Sequence, residues 1–180
     1  MKALRLPMAA AFAAAVFIAL SGIAPAGASS DDDAEVIEVE DDCDPETFDA
    51  AVGPGTCVGD GDTTFDELVE ELEDDGEHGK WRNHPDDTHI DHGESLHVVN
   101  EGGEFHTFTM VDAFGGGCVP FLNDILGLPP APDELCAAIG PADALPAGFA
   151  LDVEDLAPGH YMFMCLIHPW MQTTVEVRDD

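Results

Sequence analysis

The stretch GHYMFMCLIHPWM, residues 159–171, carries a cysteine, a histidine and a methionine at equal three-residue steps, as Cys165, His168 and Met171. A tight loop can aim their thiolate, imidazole and thioether groups at one point. Soft sulfur donors favour copper, and two histidines with one cysteine and a weak axial methionine form the trigonal geometry of electron-transfer copper sites. Only one histidine lies between Cys165 and Met171, so a second one is expected from elsewhere in the chain.

A candidate for that second histidine lies in the predicted strand 105–111. Side chains alternate between the two faces of a strand, which places His106 on the same face as Phe108 and Met110. A single histidine on an apolar face is more often a buried core residue than a ligand. His106 taken alone would therefore not identify a metal site.

Short strands with glycine- and proline-rich turns dominate the second half of the chain and predict an all-β fold, an antiparallel β-sandwich. The predicted strands cover residues 89–91, 96–100, 105–111, 149–153, 160–165 and 172–177. One short amphipathic helix is predicted over 65–76, because Thr64 and Glu67 form a capping-box pattern ahead of a helical apolar stripe. A long loop, 113–148, is expected to be held by a disulfide, and residues 119–126 within it could form a short apolar helix.

The chain divides into four predicted parts. Residues 1–28 have the charged start, apolar run and small-residue cleavage site of a secretory signal, which predicts a periplasmic or extracellular protein. Residues 29–62 form an acidic extension, 63–80 the amphipathic helix and a linker, and 81–180 the sandwich domain. No later stretch approaches the roughly 20 apolar residues that a membrane span needs, so none is expected.

Acidic residues outnumber basic ones by a wide margin. The chain has 38 Asp and Glu against 5 Lys and Arg, a formal net charge of −33. Nucleic acid is excluded as a partner, because affinity for phosphates comes from lysine and arginine. Such a charge favours solubility, and it would steer the protein, which we expect to be a monomer, toward a partner with a basic surface.

The five cysteines are Cys43, Cys57, Cys118, Cys136 and Cys165. In an exported protein an even set favours disulfides, and the odd cysteine left over is a thiol with another role. The local pairs Cys43–Cys57 and Cys118–Cys136 are the most economical expectation and would leave Cys165 free. Four cysteines permit three pairings, so the sequence leaves the connectivity open.

Residues 81–180 resemble the cupredoxins, the small blue type 1 copper proteins that include plastocyanin and amicyanin. Three segments carry the resemblance: GESLHVVNEGGEFH at 93–106, LAPGHYMFMC at 156–165, and the Cys-x-x-His-Pro-aromatic-Met loop that ends at Met171. The resemblance implies a Greek-key β-sandwich. It also implies one copper ion held by four side chains, those of His106, Cys165, His168 and Met171.

The resemblance has further implications for the site. His168 would be the exposed ligand edge through which electrons pass. Thr107 stands where many cupredoxins carry an asparagine that ties the ligand loops together, so its hydroxyl would have to take that role. Multicopper oxidases and copper nitrite reductases need a histidine beside the cysteine, whereas Met164 and Leu166 flank Cys165 here. The protein is therefore expected not to be an enzyme.

The function that these observations favour is one-electron transfer by a single type 1 copper. Copper delivery is a second hypothesis, and a metal-free sandwich that acts as a binding module is a third. Five further histidines bear on copper delivery, because they could form a second metal site, although solvated side chains among acidic residues are the simpler expectation. They are His78, His84, His89, His92 and His97.

Overall fold

The computed structural model describes residues 34–179, which belong to one compact unit, and the predicted signal sequence 1–28 lies outside them. The strands of the described residues are β1 (Ala34–Glu40), β2 (Arg82–His84), β3 (Asp87–Asp91), β4 (Ser95–Asn100), β5 (His106–Thr107), β6 (Thr109–Val111), β7 (Ala144–Leu145), β8 (Ala150–Val153), β9 (Gly159–Met164) and β10 (Gln172–Arg178). The helices are α1 (Pro45–Ala51), α2 (Phe65–Asp75), α3 (Pro120–Leu126) and α4 (Asp133–Ala137).

Most of the strands form two four-stranded sheets. The first has the order β2-β1-β4-β8 and the second the order β3-β10-β9-β6, while β5 and β7 form a separate small pair. Apolar side chains of both sheets, such as Ile37, Val98, Phe163 and Val175, are buried in one shared core. Removal of this apolar surface from water is the main favourable contribution to folding. The predicted β-sandwich is confirmed.

Two strand pairs are parallel, so the prediction of a wholly antiparallel sandwich is wrong. β1 runs parallel to β4, and β3 runs parallel to β10. The other pairs between named strands are antiparallel. The alternation of apolar residues indicates which side chains face the core, but it carries no information on the direction of the neighbouring strand.

The predicted amphipathic helix is confirmed as α2. Thr64 and Glu67 form the capping box at its start, and Gly76 ends it in the left-handed conformation with φ 79°. The possible short helix at 119–126 is present as α3, whereas α1 and α4 were not expected, and these three helices have 5 to 7 residues each. Helices this short are marginal on their own and depend on tertiary contacts, so their periodicity is a weak signal. None of the described helices is long and apolar enough to cross a membrane.

The predicted strand 105–111 is in fact two strands with different partners. β5 pairs with β7, whereas β6 pairs with β9 in the second sheet. The change of partner at Phe108 interrupts the alternation, so that Thr109 is buried and Met110 is 46% exposed. Thr107 is buried like His106 and Phe108, so the shared face of those two residues stays a prediction, and its extension to Met110 is wrong.

The described part of the acidic segment, residues 34–62, has more structure than its composition predicts. Its strand β1 is an inner strand of the first sheet, and Phe48 from α1 stacks on Trp81 with a ring separation of 5.8 Å. Both predicted disulfides are present, Cys43–Cys57 and Cys118–Cys136, and Cys165 is free and buried. The first disulfide closes a loop within this segment, and hydrogen bonds from Gly103, Glu104 and His106 to Asp41 join the segment to the site.

Candidate metal centre

Three donor atoms converge where β5 meets the loop between β9 and β10. His106 lies in β5, Cys165 directly follows β9, and His168 comes three residues later. The Cys165 Sγ is 3.8 Å from the Nδ1 of each histidine, and the two Nδ1 atoms are 3.2 Å apart. The structure therefore brings three of the four predicted ligands into one cluster, and all three side chains are buried.

The spacing of these atoms suits a transition metal. A circle through the three atoms has a radius of about 2.1 Å, and nitrogen and sulfur ligands bind zinc at roughly 2.0–2.3 Å. One thiolate with two imidazoles is a donor set that favours copper. The residues present thus fit a copper ion.

Met171 ends the loop and is buried as well. Its N–H donates to the carbonyl of His168 at 2.9 Å, and its carbonyl accepts from the N–H of Cys165 at 3.0 Å. These two bonds close the loop tightly and keep the backbone of Met171 beside that of Cys165. The role of Met171 as the weak axial ligand stays a prediction.

His106 is held from behind by a carboxylate that the sequence did not indicate. Its Nε2 donates to Asp41 Oδ2 at 2.8 Å, and both side chains are fully buried. Burial alone would raise the pKa of Asp41, but hydrogen bonds from His106 and from the N–H of Glu104 lower it to about 2. Burial alone would lower the pKa of His106, but Asp41 and Cys165 outweigh it and raise the pKa to about 9.

A second carboxylate stands behind the other histidine at a longer distance. Glu104 Oε2 is 3.5 Å from His168 Nε2, and the indole N–H of Trp81 donates to the same oxygen at 2.7 Å. Burial raises the pKa of Glu104. Each imidazole of the cluster therefore has its Nδ1 toward Cys165 and its Nε2 toward a carboxylate, a common arrangement around metal-binding histidines.

The expectation that His168 is an exposed ligand edge is wrong in this structure, because its side chain is only 3% exposed. The Trp170 ring lies 5.3 Å from its ring, and Glu104 lies beside its Nε2. His168 and Glu104 nevertheless line an apolar cavity of about 680 Å³, whose walls include Phe48, Phe65 and Phe121. His168 thus lines an apolar cavity and is largely shielded from solvent.

Thr107 links the two ligand segments. Its hydroxyl oxygen accepts the N–H of Leu166 at 2.8 Å and the hydroxyl of Thr109 at 3.2 Å, and its own N–H points to Cys165 Sγ at 3.4 Å. The threonine thus ties the strand of His106 to the loop of His168, the role that the resemblance assigns to an asparagine.

The free thiol of Cys165 is placed to ionise. Burial alone would raise its pKa, but the contacts with the His106 and His168 rings outweigh this and hold the pKa well below its usual range. Backbone N–H groups of Thr107 and His168 also approach the sulfur, at 3.4 and 3.5 Å. A thiolate is the form of cysteine that binds metals.

The further histidines do not join this cluster. His84, His89 and His92 are exposed and His97 is half-buried, in line with the expectation of solvated side chains. His78 is the exception, because it is buried beside Trp81 and its Nε2 is 3.0 Å from a Glu71 carboxylate oxygen.

Sequence reasoning missed Asp41 and Glu104. Asp41 lies in a run of acids with Glu40 and Asp42, and it is 65 residues away from His106 along the chain. Glu104 precedes His106 by two residues, which on a regular strand would place both on one face, and this is the only sequence signal for either carboxylate.

No known sequence family matches the chain. No curated protein matches it either. Solved structures similar in fold include a purple cupredoxin from Nitrosopumilus maritimus, with a TM-score of 0.43 and 14% identity over 80% of this chain and 99% of that one. Plastocyanin from Dryopteris crassirhizoma has a TM-score of 0.39 and 18% identity, over 79% and 99% of the two chains.

A copper-containing nitrite reductase from Thermus scotoductus is also similar, with a TM-score of 0.36 and 19% identity over 55% of this chain and 20% of that one. TM-scores this low do not support an argument about the fold or the site, which rests on the strands and the donor cluster of this chain. The two packed sheets and the clustered ligands, however, meet the expectations that followed from the resemblance. The domain is a β-sandwich with a cupredoxin-like fold.

Proposed function

We propose that the protein binds a single type 1 copper ion and carries one electron at a time. The observation that supports this most directly is the buried triangle of His106 Nδ1, Cys165 Sγ and His168 Nδ1, with its dimensions suited to one metal ion. When bound, copper would supply one-electron chemistry between its Cu(I) and Cu(II) states. Met171 is proposed as the weak fourth ligand.

The role of the chain is to keep the donors in place in both oxidation states. His106 is fixed in strand β5. In the loop, the N–H of Cys165 donates to the carbonyl of Met171, and the N–H of Met171 donates to the carbonyl of His168. Thr107 joins the two segments through the N–H of Leu166. A donor set fixed in this way needs little rearrangement when the charge of the metal changes.

The free thiol of Cys165 is evidence against a metal-free binding module. Four of the five cysteines form disulfides, and Cys165 is left free between two histidine rings. Copper delivery fits less well than electron transfer, because all three clustered donors are buried and would release a metal slowly. We further propose export, because residues 1–28 have the pattern of a secretory signal and the chain has two disulfides. We also propose a monomeric state, and a redox partner with a basic docking surface because the net charge is −33.

The proposal is tested by titration of the protein with Cu(II), followed by visible and electron-spin-resonance spectroscopy. An intense thiolate-to-copper band that saturates at one copper per chain is expected. Cys165→Ser should abolish the band, whereas His89→Ala, which removes an exposed histidine outside the cluster, should leave it unchanged. A colourless wild-type protein, or a band that survives in Cys165→Ser, would contradict the proposal.

Electron transfer and copper delivery are distinguished by reversible redox chemistry and by how fast the protein gives up its copper. An electron carrier should give a reversible one-electron wave in voltammetry and lose Cu(I) slowly to a competing chelator. Rapid loss of Cu(I) to the chelator, with a half-life shorter than the time of mixing, would favour delivery. Nitrite reduction can be assayed on the same sample, and turnover would contradict the expectation that the protein is not an enzyme.

A further inference from the structure

The Asp41 carboxylate is a buried anion directly behind the proposed metal ligands. Its side chain is fully buried and accepts four N–H donors. Oδ1 accepts from Cys43 at 3.2 Å and Gly103 at 3.0 Å, and Oδ2 accepts from Glu104 at 2.9 Å and His106 Nε2 at 2.8 Å. A carboxylate that accepts this many N–H groups is stabilised in its ionised form.

The backbone around Asp41 is shaped to admit this carboxylate. Gly102 and Gly103 pass so close to the N-terminal segment that a Cβ at Gly102 would overlap the Asp41 carboxylate. A Cβ at Gly103 would lie 2.7 Å from Cys43 Sγ. The glycine pair and the Cys43–Cys57 disulfide thus let the two segments meet with Asp41 between them. Burial of a charge is costly unless it is paired, so this contact is a built feature of the site.

The hydrogen bond to Asp41 determines how His106 presents its ring. A carboxylate that faces Nε2 requires a proton on that nitrogen, which leaves the Nδ1 lone pair for a metal once the ring is neutral. The negative charge on the far side of the same ring stabilises additional positive charge at the metal. It therefore stabilises Cu(II) relative to Cu(I).

We propose that Asp41 is the positioning residue of the copper site, which fixes His106 with Nδ1 toward the metal and lowers the reduction potential through its buried charge. This inference rests on the proposed function. It also gives the acidic N-terminal segment a role, because that segment supplies the carboxylate and one of its four N–H donors, that of Cys43.

Glu104 provides a matched comparison within the same site. Its carboxylate is also buried, but it lies 3.5 Å from His168 Nε2, beyond ordinary hydrogen-bond length, and its oxygen is occupied by the indole of Trp81. Neutralisation of Glu104 should therefore change the potential less than neutralisation of Asp41. Asp41→Asn and Glu104→Gln each replace a carboxyl group with an amide and keep the shape of the side chain.

The test is the midpoint potential of the copper-loaded full chain as wild type, Asp41→Asn and Glu104→Gln, with the visible band recorded on each sample. Asp41→Asn should keep the band and raise the midpoint potential by at least about 59 mV, which corresponds to a tenfold change in the Cu(I)/Cu(II) ratio for one electron. The shift in Glu104→Gln should be smaller. An intact band with an unchanged potential in Asp41→Asn overturns the inference alone, whereas the absence of a band in the wild type overturns the proposed function and the inference with it.

A second measurement does not depend on how well the variant folds. The Cu(I) form of the wild type is diamagnetic, so long-range ¹H–¹⁵N spectra report which nitrogen of His106 carries a proton. The inference requires the proton on Nε2, toward Asp41. A proton on Nδ1 would overturn it.

Discussion

The two histidines of the cluster present the same ring nitrogen to Cys165 but lie in different surroundings. His106 lies in a strand, is fully buried and donates to Asp41 at 2.8 Å. His168 lies in a loop, is 3.5 Å from Glu104 and lines the apolar cavity. The difference indicates a division of roles. The surroundings of His106 hold its ring rigidly and place a negative charge beside it, whereas the surroundings of His168 leave its ring reachable from the cavity.

Each side is supported by one of the two disulfides. Cys43, in the first disulfide, donates its N–H to Asp41 behind His106. Cys118, in the second disulfide, donates its N–H to the carbonyl of Leu166 in the ligand loop. The site therefore lies between two cross-linked segments that come from different parts of the chain, one before β2 and one between β6 and β7.

The largest expected difference between His106 and His168 is in how the copper band recovers after each imidazole is removed. His168→Gly would leave a space that opens into the cavity of about 680 Å³, so added imidazole should enter and restore the visible copper band. His106→Gly would leave an enclosed space between Asp41 and Cys165, and added imidazole should not restore the band. The measurement is the band intensity of each copper-loaded variant as imidazole is added.

Equal recovery of the two variants would contradict the division into a closed side and an open side. The Cys165→Ser variant is the control, because imidazole cannot replace the thiolate that produces the band. Circular dichroism of each variant without metal establishes that the sandwich is folded before copper is added.

The ligand loop could be predicted from the sequence because its chemistry is local. Cys165, His168 and Met171 follow one another at three-residue steps and are of rare types, so this one loop indicates three of the four donors. The disulfide pairs and α2 could be predicted for the same reason. The disulfides join cysteines that are close in the sequence, and α2 begins with a local capping pattern.

Asp41 could not be predicted, because its role depends on a contact across 65 residues. Its neighbour Asp42 is equally acidic but pairs with Lys80 at the surface, and nothing in the sequence distinguishes the two. The burial of His168 and the parallel pairing of β1 with β4 depend on tertiary packing in the same way. The extent of the N-terminal structure followed from these contacts and not from composition.

The charge on the His106 side predicts a specific loss of stability in acid. The pKa of Asp41 is about 2 in the folded protein against 3.8 ordinarily, so its contribution is complete above pH 3.8 and is lost as the pH falls toward 2. The contribution amounts to about 2 kcal/mol. Urea unfolding of the metal-free protein between pH 5 and pH 2 should therefore show a shallower decline for Asp41→Asn than for the wild type.

Asp152→Asn is the control for this measurement, because its carboxylate is 59% exposed and its partner is the half-exposed His97. Its unfolding free energy should follow that of the wild type across the same pH range. A decline in Asp41→Asn as steep as in the wild type would contradict a buried, ionised carboxylate at this position.

The smallest expected effect comes from the Thr107 hydroxyl, which joins the strand of His106 to the loop of His168. Thr107→Val keeps the shape of the side chain but leaves the buried N–H of Leu166 without its acceptor, which should lower the unfolding free energy by at least about 1 kcal/mol. Thr173→Val is the matched control, because Thr173 is equally buried and its hydroxyl has no hydrogen-bond partner among the described residues. That substitution should be neutral or stabilising, since it removes an unpaired polar group. Equal losses in the two variants, measured by urea unfolding of the metal-free protein, would mean that the cost comes from packing, and that Thr107 does not join the His106 strand to the His168 loop through its hydroxyl.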